Sequence, residues 1–85
     1  MTPVEEWACN YIGSRDSNFI ALSDTEKLLE NFFLSGRLDS MALMNMLLDA
    51  EQQFAIAFTA ESFQDRRIQT ISGLGEVIAE IQRAS

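Results

Sequence analysis

The chain has 85 residues, enough for one small domain and too few for a cofactor domain beside a substrate domain. Apolar residues make up 47% of it, which supports one core and argues against a disordered tail. Thirteen acids against six bases give a net charge of −7, which excludes nucleic acid as a natural partner, disfavours anionic membrane surfaces and favours basic partner surfaces.

The apolar spacing is helical throughout. β-branched residues are scarce and strict alternation is absent, so no strand is predicted. The first helix reads from about Pro3 to Ser14. Thr2 caps it, Pro3 suits its first position, and Glu5 and Glu6 complement the N-terminal dipole. Val4, Trp7, Ala8, Tyr11 and Ile12 form its inward face.

A connector follows from Arg15 to Leu38. RDSN reads as a turn, and Asp16 and Asn18 do not extend into a calcium loop, because Ile20 stands at the next alternate position and no glycine follows. Ser23 and Glu26 fit a capping box, with Leu28, Leu29, Phe32 and Phe33 behind it. That stretch is either a short helix or an ordered loop pinned by those side chains. Arg37, just before the next helix, is either a solvated charge or a partner contact.

The next helix reads from about Ser40 to Phe54. Leu43, Met46, Leu47, Ala50 and Phe54 form one face, and Met41, Met44 and Leu48 form a second, bordered by Asn45 and Gln52. One buried stripe suffices for a surface helix. The second stripe either packs under another helix or meets a partner, a use to which flexible methionines are suited. A short helical turn follows near Thr59 to Gln64, and a last helix from about Thr70 to Arg83 faces inward with Ile71, Leu74, Val77, Ile78 and Ile81. Gly73 and Gly75 allow close helix approach. GLG is no nucleotide loop, since no strand precedes it. Trp7, Phe32, Phe33, Phe54 and Phe58 read as core. The fold class is all-α, a small bundle of three main helices plus one short one in a single domain over residues 1–85.

The chain has no histidine and a single cysteine, Cys9. Ser–His and Cys–His nucleophiles, histidine metal sites, internal disulfides and Cys-rich zinc sites are all excluded. The remaining carboxylates, hydroxyls, Tyr11, lysine and Cys9 show no catalytic pairing, so neither an enzyme nor a metal site is expected. MTPVEEWACN lacks the basic and apolar regions of a secretory signal, and no apolar run is long enough to span a membrane. A reducing, cytoplasmic location and a monomer are expected.

One serine stands out. Ser40, in GRLDSMALMNMLLDAEQQF, follows a Gly-containing break and an acid and opens a strongly apolar helix. Helix N-termini present unpaired N–H groups and positive potential, so a phosphate ester on that hydroxyl would be well placed. The plain alternative is that Ser40 or Asp39 is only an N-cap.

Asp39-Ser40-Met41 resembles the Asp-Ser-Leu or Asp-Ser-Met motif at the second long helix of the acyl carrier and peptidyl carrier protein family. LLENFFLSGRLDSMALMNMLLDAEQQFAIAF is similar to that family's loop end, second helix and following apolar pair, and FTAESFQDRRIQTISGLGEVI to its third and fourth helices. The resemblance covers nearly the whole chain. It implies an acyl-carrier-like fold and a covalent 4'-phosphopantetheine arm, moved from coenzyme A to Ser40 by a phosphopantetheinyl transferase. The arm would carry an acyl or aminoacyl thioester, loaded by an activating ligase and passed to downstream transferases or synthases. It further implies that Asp39 assists the transferase through its magnesium ion and that Met41 touches the transferase or the arm. Met41, Met44, Asn45, Leu48, Glu51 and Arg66 are the expected partner contacts.

Departures from the family pattern narrow the expectation. Ala42, Asn45 and Gln52 stand where acids are usual, although Asp49 and Glu51 retain charge; Arg66 and Arg67 follow the third-helix region, which is commonly acidic. That pattern points to a dedicated pathway rather than general fatty acid synthesis. The rival expectation is a cofactor-free acidic helical interaction module, which gives no reason for Asp39-Ser40-Met41 at that helix start.

Overall fold

The computed structural model describes residues 1–84. Helix α1 spans Pro3–Arg15 and begins with a reciprocal box. The Glu5 N–H donates to the Thr2 hydroxyl at 3.1 Å, and the Thr2 N–H donates to the Glu5 carboxylate at 2.7 Å. Ala8 and Ile12 are fully buried, while Val4, Trp7 and Tyr11 are half-buried at the margin of the core. The Trp7 ring meets Phe54 edge-on, with centroids 5.5 Å apart, and so joins α1 to the end of the central helix.

The connector is more helical than its turn signals imply. Asp16 ends α1 and caps a four-residue helix α2, Ser17–Ile20, by accepting from the Asn18 N–H at 3.0 Å. The acid and amide that resemble a calcium loop thus serve as a cap. What makes α2 form is tertiary: Phe19, at 1% exposure, anchors it in the core. Helix α3, Asp24–Leu29, starts at the expected Ser23–Glu26 box. It stops before Phe32, so a short helix is followed by an ordered loop; of the four expected pins Phe32 is buried, Leu28 and Phe33 are half-buried, and Leu29 is 65% exposed.

Helix α4 spans Ser40–Phe54, with the bounds expected. It ends at Ala55, which takes the left-handed conformation (φ 53°) usually filled by glycine. Helix α5, Ala60–Gln64, is capped by Thr59, and a 3₁₀ turn, Arg66–Gln69, follows from an Asp65 cap. Helix α6, Ile71–Ala84, closes the bundle. Its buried face is Ile71, Leu74, Val77 and Ile78, with Ile81 half-buried. Gly73 supplies the close approach expected of it, since a Cβ there would overlap the Arg67 carbonyl of the 3₁₀ turn; Gly75 does not, because a Cβ there would lie 3.6 Å from the Glu5 side chain, at ordinary contact distance.

The core gathers Ile12, Phe19, Phe32, Leu38, Met46, Leu47, Ile71, Leu74 and Ile78. Burying each contributes roughly 1.5–3 kcal/mol against an extended chain. Three main helices with short ones between them make an all-helical bundle, with no strand among the described residues. Among those residues no helix is long and apolar enough to cross a membrane.

Candidate functional site

Several contacts and one glycine turn fix where α4 begins. Leu38 is buried, and its N–H donates to the Phe32 carbonyl at 3.1 Å. The Phe32 N–H donates in turn to the Gln69 carbonyl at 3.0 Å, and the Asn31 amide donates to the Gln69 side chain at 2.9 Å. The other end of the Asn31 amide accepts from the Phe33 and Leu34 N–H groups at 3.1 and 2.8 Å, folding the loop tip back on itself. Gly36 then turns the chain at φ 84°, a left-handed position suited to glycine. The segment before α4 is thereby moored to the 3₁₀ turn that precedes α6.

Asp39 is the N-cap of α4. Its backbone is extended, and its carboxylate accepts from the Ala42 N–H at 2.8 Å. This settles which of the two residues caps the helix. Ser40 is the first helical residue; it is exposed and its hydroxyl makes no hydrogen bond within the described residues. A cap needs its side-chain oxygen turned onto the helix N–H groups. Ser40 is relieved of that task. A phosphodiester fits here sterically, because the position faces solvent. The first N–H groups of α4 and its dipole favour an anion there, while the Asp39 carboxylate already occupies the Ala42 N–H beside it.

The second stripe of α4 lies in solvent. Met41 is 75% exposed, Leu48 51% and Met44 43%, with exposed Asn45 between them. Among the described residues no helix covers these side chains, so the stripe does not pack under a neighbouring helix.

A family model described as "Phosphopantetheine attachment site" matches residues 19–78, well over half of the chain. The chain belongs to that family of carrier proteins. No curated protein and no solved structure matches it. As a phosphopantetheine carrier it holds a covalent arm for others to act on and is not itself a catalyst. Carrier proteins of this kind receive the arm from phosphopantetheinyl transferases.

The structure sorts the remaining expected contacts of the carrier. Met41, Met44, Asn45 and Leu48 form one uncharged exposed strip down α4 from Ser40. Glu51 is different: its carboxylate accepts from the Phe58 N–H at 2.8 Å and so holds the turn after α4. Arg66 is exposed and forms no ion pair among the described residues, whereas its neighbour Arg67 pairs with Asp65 at 2.8 Å and Glu80 at 2.6 Å. Those hydrogen bonds hold the Asp65 and Glu80 carboxyls below their ordinary range and raise the Arg67 guanidinium.

Two features near Ser40 were not legible in the sequence. Leu34, on the loop before α4, is 77% exposed, and nothing in the apolar spacing marks it apart from the buried Phe32 beside it. Arg37 is not a loose charge: it is drawn into ion pairs with Glu30 and Asp16, seven and 21 residues away in sequence. Only the folded chain brings those acids together.

Proposed function

We propose that Ser40 carries the 4'-phosphopantetheine arm and that this carrier delivers an acyl or aminoacyl thioester to enzymes of a dedicated biosynthetic pathway. The observation that carries the attachment is the division of labour at the start of α4. Asp39 takes the capping role, leaving the Ser40 hydroxyl exposed and without a hydrogen bond. In loading, the Ser40 oxygen forms a bond to the phosphorus that joins pantetheine to the nucleotide of coenzyme A. The bond from that phosphorus to adenosine 3',5'-bisphosphate breaks, and the serine proton passes to a base of the transferase. When bound, the arm supplies a terminal thiol that holds the cargo as a thioester. The chain's own residues present, cap and flank the serine. The family resemblance supports a role for Asp39 toward the transferase's magnesium ion and for Met41 as a contact of the transferase or the arm.

The dedicated pathway is supported by the surface of α4. Carriers read by basic partner enzymes need carboxylates along this helix, and here the exposed strip is Met41, Met44, Asn45 and Leu48. Such a strip suits an apolar docking surface, with Arg66 available to a partner's carboxylate. We leave Glu51 out of it, since its carboxylate is engaged within the fold. We also propose that residues 1–85 act as one monomeric carrier domain: α1 lies outside the matched residues, yet Ala8 and Ile12 share the core with α4 and α6. A lone, half-buried Cys9 whose thiol burial pushes up fits a reducing compartment such as the cytoplasm.

The test is intact mass after incubation with coenzyme A, magnesium and a broad-specificity transferase. The expected result is a gain of one phosphopantetheine in the natural chain and none in Ser40→Ala, with helical content unchanged. A gain that survives Ser40→Ala would move the attachment elsewhere. No gain, beside an active transferase control, would point to a partner-specific transferase.

A further inference from the structure

Arg37 stands three residues before Ser40, and only 17% of its side chain is exposed. Its guanidinium is held in two directions. Nε donates to the two oxygens of Glu30 at 2.9 and 3.0 Å, and Nη1 donates to Asp16 Oδ2 at 3.0 Å. The buried ring of Phe19 lies beside it, with its centroid 5.3 Å from Cζ. Glu30 is the residue that ends α3, and Asp16 both ends α1 and caps α2 with its other oxygen. One side chain therefore ties the serine's loop to both connector helices. An open groove lined by Leu22, Thr25, Leu29 and Arg37 itself runs along this flank. Leu38, Phe32 and the bonds to Gln69 moor the loop on its other side; on this flank the polar tie holds it. Hydrogen bonds from ionised partners are the strong ones, and the forked guanidinium is suited to grip two carboxylates at once.

We infer that Arg37 is a positioning residue for phosphopantetheine loading: its clamp on Asp16 and Glu30 holds the loop so that Ser40 is offered to the transferase in one place. The inference rests on Ser40 being the attachment residue. Arg37 has no part in bond making. A loop freed from the clamp has to be ordered when the transferase docks, which weakens docking; once docked, the serine reacts as before. The signature is therefore a raised KM for the carrier with kcat held.

Steady-state loading would be measured for the natural chain, Arg37→Gln, Arg37→Lys and Glu30→Gln, each also followed by circular dichroism. The KM of Arg37→Gln should rise about tenfold, as expected for ordering about one loop residue, with kcat within about twofold. Arg37→Lys should fall between, because an ammonium cannot span both carboxylates as the fork does. Glu30→Gln should move KM in the same direction by less. An unchanged KM in folded Arg37→Gln would overturn the inference, as would a loss confined to kcat. If Arg37→Gln fails to fold, Glu30→Gln and Asp16→Asn decide, and an unchanged KM in both overturns it. Failure of the attachment itself would look different: a mass gain retained in Ser40→Ala.

Discussion

Helix α4 bears two apolar stripes of nearly the same composition and opposite fates. Leu43, Met46, Leu47 and Ala50 are buried against the rest of the bundle, while Met41, Met44 and Leu48 stand in solvent. Leu47 and Leu48 are neighbours in sequence with 1% and 51% exposure. An isolated helix would have no means of telling the stripes apart. The difference comes from the shared core, which Leu43, Met46, Leu47 and Ala50 join and the second stripe does not. Exposed apolar groups contribute little to stability, so their presence in solvent points to a use outside the fold.

That contrast is tested most directly on the adjacent leucines. Leu47→Ala removes buried methyl groups and leaves a cavity, and should cost about 2–5 kcal/mol in a urea titration. Leu48→Ala should stay within about 0.5 kcal/mol of the natural chain. In transfer to partner enzymes the order inverts: Leu48→Ala should weaken docking, while Leu47→Ala should act only through the fraction unfolded. Equal losses of stability would mean that something covers the second stripe after all.

Much of this was legible beforehand, and for a physical reason. The bounds of α4 follow from Asp39, a dense apolar run and the absence of any competing break. The cap at Thr2 and the box at Ser23 follow from side chains acting on neighbours three residues on. These are local effects, and a sequence records them. The 3₁₀ turn at Arg66–Gln69 and the short α2 are held by distant partners: Gln69 by Phe32 and Asn31, and α2 by the burial of Phe19. The same limit hid the Arg37 clamp and the bare side of α4. At the site itself, the Asp-Ser pair was visible, but which member caps the helix is a matter of side-chain orientation.

Substitutions at Asp39, the N-cap of α4, separate its folding role from the loading role proposed for it. Asp39→Ala loses the cap and should cost about 1 kcal/mol. Asp39→Asn keeps an equally good cap and removes the charge. If the carboxylate serves only α4, Asn restores both the melting temperature and the loading rate. If the transferase also uses it, Asn restores the melting temperature and leaves loading slow. The second outcome is the one expected, and it is read by pairing thermal melts with intact-mass time courses.

The supporting and presenting sides should also differ in their response to acid, though by the least. Arg67 holds the Asp65 and Glu80 carboxyls below their ordinary range, chiefly by hydrogen bonding to them. Carboxyls lowered in the folded state stabilise it above the pKa of the unfolded chain, about 4, and lose that contribution as pH falls through the folded value. The melting temperature of the natural chain should therefore exceed that of Arg67→Gln above about pH 4.5, and the gap should narrow below about pH 4. These groups are exposed, so the effect is small and salt should shrink it further. Glu26 is lowered as well, but by its own bonds to Ser23, so its share of the acid response persists in both chains. Met44→Ala changes no titrating group and should run parallel to the natural chain at every pH. A gap for Arg67→Gln that stays constant into acid would mean that Arg67 supports α6 by packing its stem rather than by holding the two carboxylates.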